Sequence, residues 1–220
     1  MTTVASCVLS IRAMELSDID AIATWFDDPE DISLFERSSP IPIGREARRA
    51  GWKEDLTASA SSAKAFWYIA CNGKGEPVAI GGLQAVNYFH GDAVLPMFVA
   101  RLMRGKGIGI RMIGLLLDIA FDSLRLARVT TYYREDNEIS AKLARRASFT
   151  EEGRMRKAWF YDGVHLDMVV AGVLREEWID QRSTVQKELD QSMILRFGAG
   201  TNDRLTWPKG EASAFSQLPR

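Results

Sequence analysis

The chain has 220 residues, 46% hydrophobic and 26% charged, and its 28 basic side chains against 29 acidic ones leave a formal net charge of −1. Such a length and composition describe a globular domain with room for one extension and exclude a fibrous or disordered chain. Near-neutral charge argues against a surface built for nucleic acid, and two cysteines with two histidines are too few for a disulfide framework or a zinc site, so neither nucleic acid nor a metal is expected.

The first residues lack the basic stretch and apolar run of a secretory signal. Residues 7–12 read as a strand. Ser17 then caps a helix with Ile19, Ile22, Ala23 and Phe26 at helical spacing. Asp27-Asp28-Pro29 ends it, because the residue before a proline disfavours the helical region. Residues 36–43 read as a loop, 45–56 as a second helix and 58–63 as a small-residue loop. Three strands follow, at 66–71, 77–88 and 93–100, with Asn72-Gly73-Lys74-Gly75 and His90-Gly91-Asp92 as their turns.

The pattern then alternates. Residues 107–124 form a long helix with apolar residues on several faces, so it is expected to be largely buried. Its apolar run, 108–121, is broken by Arg111 and Asp118 and is too short to span a bilayer. A strand at 127–133, a short helix at 138–146 and a hairpin of 149–161 with 165–174 across Asp162-Gly163 complete an α+β (mixed α/β) domain. Val185, Leu189, Met193 and Phe197 fall four apart, one stripe on a helix over 176–196 that Gly198-Ala199-Gly200 stops. The last twenty residues read as a loose tail. The division is thus a domain at 1–178 and a C-terminal helix and tail at 179–220, in a cytoplasmic protein that is a monomer or homodimer.

Charge is uneven along the chain. Residues 101–157 hold 13 lysines and arginines against seven acids, leaving 15 against 22 elsewhere. Within that segment lies Arg104-Gly105-Lys106-Gly107-Ile108-Gly109, between a strand and the buried helix. Alternate glycines let a ligand approach the backbone, the first amides of the helix point outward with a dipole that favours an anion, and Arg104 and Lys106 add positive charge. These features specify a phosphate or pyrophosphate cradle. Neither the dinucleotide fingerprint nor the nucleotide-triphosphate loop fits, since Ile110, Met112 and Gly107 stand where those patterns need glycine, glycine and Ser or Thr.

Residues 104–109 resemble the Arg/Gln-x-x-Gly-x-Gly/Ala signature of the GNAT superfamily of acyl-coenzyme A N-acyltransferases. Asn137-x-x-Ser140 with Ala147-Ser148-Phe149 is similar to that family's second element, with Ser148 in place of the usual glycine. Glu152-Gly153-Arg154-Met155-Arg156, Asp162-Gly163 and Arg175-Glu176-Glu177-Trp178 resemble the branch containing ribosomal-protein N-terminal acetyltransferases. Over residues 8–178 the resemblance implies a splayed, mostly antiparallel central sheet flanked by helices, with acetyl-coenzyme A as co-substrate. It implies binding by the loop residues 104–109, by Asn137 and Ser140, and by strand backbone near Phe98 and Val99. An N-acetyltransferase acting on a primary amine, at a protein N-terminus or on a small molecule, is the expected activity. A catalytically silent coenzyme A-binding module is the alternative.

The amine must be neutral to attack, and the departing thiolate benefits from a proton donor. The tyrosine that relatives use as donor is replaced by Ala144, which leaves Ser140, one turn earlier, as candidate acid. Candidates for the base are His90, Glu36, Asp167 and a water chain. Among the aromatic residues on the strands, Trp159 and Tyr161 are the candidates for shaping an amine pocket.

Overall fold

The computed structural model describes residues 7–37, 41–59, 62–190, 192–198 and 206–209. Strand β1 (Cys7–Ala13) turns Leu9 and Ile11 into the core. Asp18 draws the next helix back onto it: its carboxylate accepts from two Arg12 guanidinium nitrogens at 2.7 and 2.6 Å and from the Glu15 amide at 2.8 Å. Helix α1 (Asp18–Ile22) continues as a tighter turn through Phe26. Asp27-Asp28-Pro29, expected only to end that helix, also begins another. The Asp28 side chain accepts from the Glu30 amide and caps α2 (Pro29–Phe35). Pro29 stands at the first helical position, where no amide partner is required. Helix α3 (Arg45–Thr57) follows.

Strands β2 (Phe66–Cys71) and β3 (Pro77–Asn87) pair antiparallel as expected. The single strand expected at 93–100 is instead two short ones, β4 (Asp92–Val94) and β5 (Met97–Val99), divided at Leu95-Pro96 because proline cannot donate to a ladder. Both pair with β3. Every residue of α4 (Ile108–Asp118) is buried. Strand β6 (Arg128–Arg134) lies parallel to β4, and α5 (Glu138–Arg146) leads to the hairpin of β7 (Thr150–Tyr161) and β8 (Val164–Leu174). From β7 the order runs β8, β6, β4, β3, β2, β1, mostly antiparallel with helices on both faces. One core surrounds α4. The other, beneath α1 to α3, takes Trp67, Ile69, Ile80 and Phe98 from alternate strand positions. No helix among the described residues is long and apolar enough to cross a membrane.

The C-terminal segment departs from expectation. Helix α6 (Arg175–Lys187) stops nine residues short of Arg196, and β9 (Met193–Phe197) runs parallel to β1. Strand β10 (Thr206–Trp207) pairs antiparallel with β9. The four-residue stripe is therefore split: Val185 and Leu189 bury from the helical side, Met193 and Phe197 from a strand. The unpaired outer edge of β1 supplies the reason, since an open ladder is satisfied by another strand. The expected loose tail is corrected at Thr206–Trp207, where the tryptophan is 0% exposed. Residues 199–205 and 210–220 lie outside the described residues.

Candidate active site

β4 and β5 separate from β6 at Leu95. The Leu95 amide donates to Thr130 O at 2.8 Å and its carbonyl accepts from the Thr131 hydroxyl at 3.1 Å. Beyond this point β5 stays with β3 and β6 with β8, so the sheet splays. Gly82 N donates to Pro96 O and Ala100 N to Val78 O, both at 3.0 Å. Antiparallel alternation then turns the backbone groups of Met97 and Val99 toward the opening. Phe98 is the correction here: its backbone faces Ile80, and its ring packs 5.0 Å from Phe26.

The loop after β5 is built on two left-handed residues, Gly105 at φ 76° and Gly107 at φ 73°, the second being the N-cap of α4. No side chain caps that terminus, so the amides from Ile108 onward remain to meet an anion. Ile108 offers only its amide, its side chain being buried. Gly109 has a different reason for being glycine: a β-carbon there would stand 3.1 Å from Leu143 Cδ1. Lys106 stays on the loop with Nζ 3.6 Å from Met103 Sδ. Arg104, expected to share its role, turns away instead. It donates to Asp31 Oδ1 at 2.7 Å and Val99 O at 3.0 Å and stacks over Phe98 at 5.1 Å. Asp31 is a nearly buried carboxylate, and the Arg104 guanidinium neutralises it.

A cleft of about 430 Å³ opens between the splayed strands. Asn137 Oδ1 caps α5 by accepting the Ser140 amide at 3.0 Å. Ser140 and Ala144, one turn apart, line the cleft, and among the described residues the Ser140 hydroxyl makes no hydrogen bond. Tyr133 lines it too. Burial, then the Glu151 charge, push its phenol up, so it keeps its proton through the neutral range.

Two carboxylates reach the cleft, Glu36 after α2 and Asp55 on α3. Glu36 lies 4.0 Å from Arg48, whose buried guanidinium sits over Phe26 at 4.5 Å and whose pKa burial pulls down. Asp55 Oδ2 accepts from Trp67 Nε1 at 3.0 Å and from Gln84 Nε2 at 3.2 Å. Sequence reasoning held Glu36 among its candidates and missed Asp55. The available signal was its place three residues after Trp52, on one helix face with an aromatic residue.

His90 and Asp167 are not in the cleft. His90 is exposed in the β3–β4 turn, at the opposite end of β4 from the opening, with its ring 4.8 Å from that of Phe89. Asp167 Oδ1 accepts the Lys157 amide at 2.9 Å and holds an irregular stretch of β7 in register. Trp159 does line the cleft, 4% exposed and anchored by its Nε1 to Ser33 O at 2.9 Å. Tyr161 does not: its ring lies 4.1 Å beneath the Arg134 guanidinium.

Over residues 9–150 the sequence matches the family described as acetyltransferase (GNAT) domain. An uncharacterised N-acetyltransferase of Bacillus licheniformis is 26% identical over 179 residues, covering 81% of this chain and 99% of the relative. A Bacillus subtilis protein, named only provisionally as a ribosomal N-acetyltransferase, is 34% identical over 101 residues, 46% of this chain and 54% of that protein. The crystal structure of spermidine N-acetyltransferase from Vibrio cholerae in complex with CoA and spermine aligns with a TM-score of 0.69 at 20% identity, over 78% of this chain and 98% of that one.

Proposed function

The chain belongs to the GNAT acetyltransferase family, and from that membership we propose that it moves an acetyl group from acetyl-coenzyme A to the primary amine of a small molecule, by direct attack in a ternary complex. The observation that carries this reading is the uncapped start of α4 behind two left-handed glycines, opening beside the edge of β5, where the Met97 backbone and the Val99 amide face away from β3.

These residues fit the co-substrate. The amides of Ile108, Gly109 and Ile110 with the Lys106 ammonium would hold its diphosphate, and the edge of β5 would pair with its amide-bearing arm. Acetyl-coenzyme A supplies a thioester carbonyl and a thiolate leaving group. An outward-facing amide of β5 gives a fixed donor where negative charge develops on the carbonyl oxygen. The Ser140 hydroxyl donates a proton toward the departing sulfur. Glu36 and Asp55 attract the acceptor as its ammonium form and between them accept the proton it must lose before attack. A cleft of about 430 Å³ suits a small acceptor, and the spermine in the Vibrio cholerae structure makes small amines the first to screen.

Titrating coenzyme A by calorimetry into the wild type and into Gly107→Glu tests the reading. The wild type is expected to bind and the variant to lose at least about a hundredfold in affinity, the size of an unpaired carboxylate opposed to a phosphate at close range. Equal affinities would overturn it.

A further inference from the structure

A second cavity of about 200 Å³ adjoins the cleft and shares Arg37 and Trp159 with it. Its remaining wall comes from the β7–β8 hairpin and includes Lys157, Phe160 and His165. Arg37, Lys157 and His165 are exposed, and none of them makes an ion pair with a described residue. Elsewhere the arginines around the site are matched to carboxylates, Arg101 and Arg104 to Asp31 and Arg134 to Asp136. Asp167, on the same hairpin, accepts the Lys157 amide on its Oδ1 at 2.9 Å. Glu36, next to Arg37, faces Arg48.

The backbone holds Lys157 in an unusual conformation. Lys157 is left-handed at φ 54°, within a register shift between Met155 and Trp159, a conformation that disfavours a residue with a side chain and that the Asp167 contact holds in place. Trp159, fixed by Ser33, forms the partition between the cavities, and the Arg37 guanidinium lies 5.9 Å over its ring. Glu36 and Asp55 line the cleft side of this partition, whereas Lys157, without an ion pair among the described residues, lines the other, with Arg37 reaching both.

We infer that the acceptor carries an anionic oxygen group, carboxylate or phosphate, at the end remote from its amine, and that Arg37, Lys157 and His165 bind that group across Trp159. The inference rests on the acetyltransferase reading and narrows its acceptor.

Three primary amines of matched chain test it: 1,4-diaminobutane, 4-aminobutanoate and 4-aminobutyl phosphate, with thiol release followed for each. The wild type is expected to favour at least one anionic acceptor over the diamine by about tenfold in kcat/KM, the factor carried by one charge-assisted contact. The better of the two anionic amines identifies the group. The Arg37→Gln/Lys157→Gln double variant should raise KM for that acceptor about tenfold and leave the diamine unchanged. Arg156→Gln, a charge loss on the same strand outside the cavity, should leave all three unchanged. A diamine used as well as both anionic amines, or an equal loss for all three in the double variant, overturns the inference. Should no amine release thiol, the acetyl-transfer reading is what fails. Tryptophan-fluorescence titration then decides the cavity: saturable binding of either anionic amine that the double variant abolishes supports it, and no binding overturns it.

Discussion

Ser148 stands at φ 67°, immediately after α5, where its amide donates to Arg145 O at 3.1 Å and closes the helix with a left-handed residue. Glycine adopts that conformation freely, whereas serine pays about 1–2 kcal/mol for it. Ser148→Gly should therefore stabilise the fold by about 0.5–1 kcal/mol once the greater unfolded-state freedom of glycine is set against the relief, read as a higher midpoint in urea; a lower midpoint would refute the strain. Ser140→Ala belongs to the same scale. If the hydroxyl protonates the departing sulfur, kcat should fall by about tenfold to a hundredfold while coenzyme A affinity stays within twofold. Residue-scale chemistry was legible where it depends on neighbours in sequence. Gly105 and Gly107 are local, and their left-handed turn follows from local geometry, whereas Asn137, expected to bind the co-substrate, also caps α5 through the Ser140 amide. Arg104 was not legible, because its partner Asp31 lies 73 residues away and nothing near residue 104 reveals that a buried carboxylate claims its guanidinium. His90 and Asp167 failed for the same reason, since which strand end or bulge a side chain meets is decided by the sheet.

Among the elements, α1 shows how one carboxylate sets a helix against a strand. Burial alone would raise the Asp18 pKa, but the Arg12 hydrogen bonds, the Glu15 amide and the Arg12 charge outweigh it, and the group ends below its ordinary value. A depressed folded-state pKa contributes stability that is present above the unfolded value of about 3.9 and is lost as pH falls through the lower folded value. Asp18→Asn should thus cost about 1–2 kcal/mol at pH 7, and the gap between variant and wild type should close only in acid below the ordinary aspartate range. A gap that persists unchanged at pH 2 would assign the effect to packing. Element boundaries were readable where punctuation is unambiguous, as at the β2–β3 turn. Pro29 misled because one proline both ends a helix and starts one, and β9 misled because apolar residues four apart also satisfy the alternation of a five-residue strand.

For the whole molecule, the decisive part is the segment that was least legible. Trp207 is 0% exposed, stacks 5.7 Å from Trp178 and donates to Asp118 Oδ2 at 2.9 Å. A β-carbon on Gly114, in the middle of α4, would lie 2.5 Å from its ring. One turn toward the cradle, the buried Arg111 donates to Met193 O at 3.0 Å and Asp190 O at 2.6 Å. The C-terminal strands therefore grip the same helix whose first amides face the proposed diphosphate, through the described residues 190, 193 and 207. Trp207→Ala should cost about 3–5 kcal/mol. A chain ending at residue 178 leaves the Arg111 guanidinium without the Met193 and Asp190 carbonyls and the edge of β1 without β9, so it should lose cooperative thermal unfolding altogether. A chain so shortened that melts with the full-length midpoint and binds coenzyme A equally well would show that α4 needs no such support.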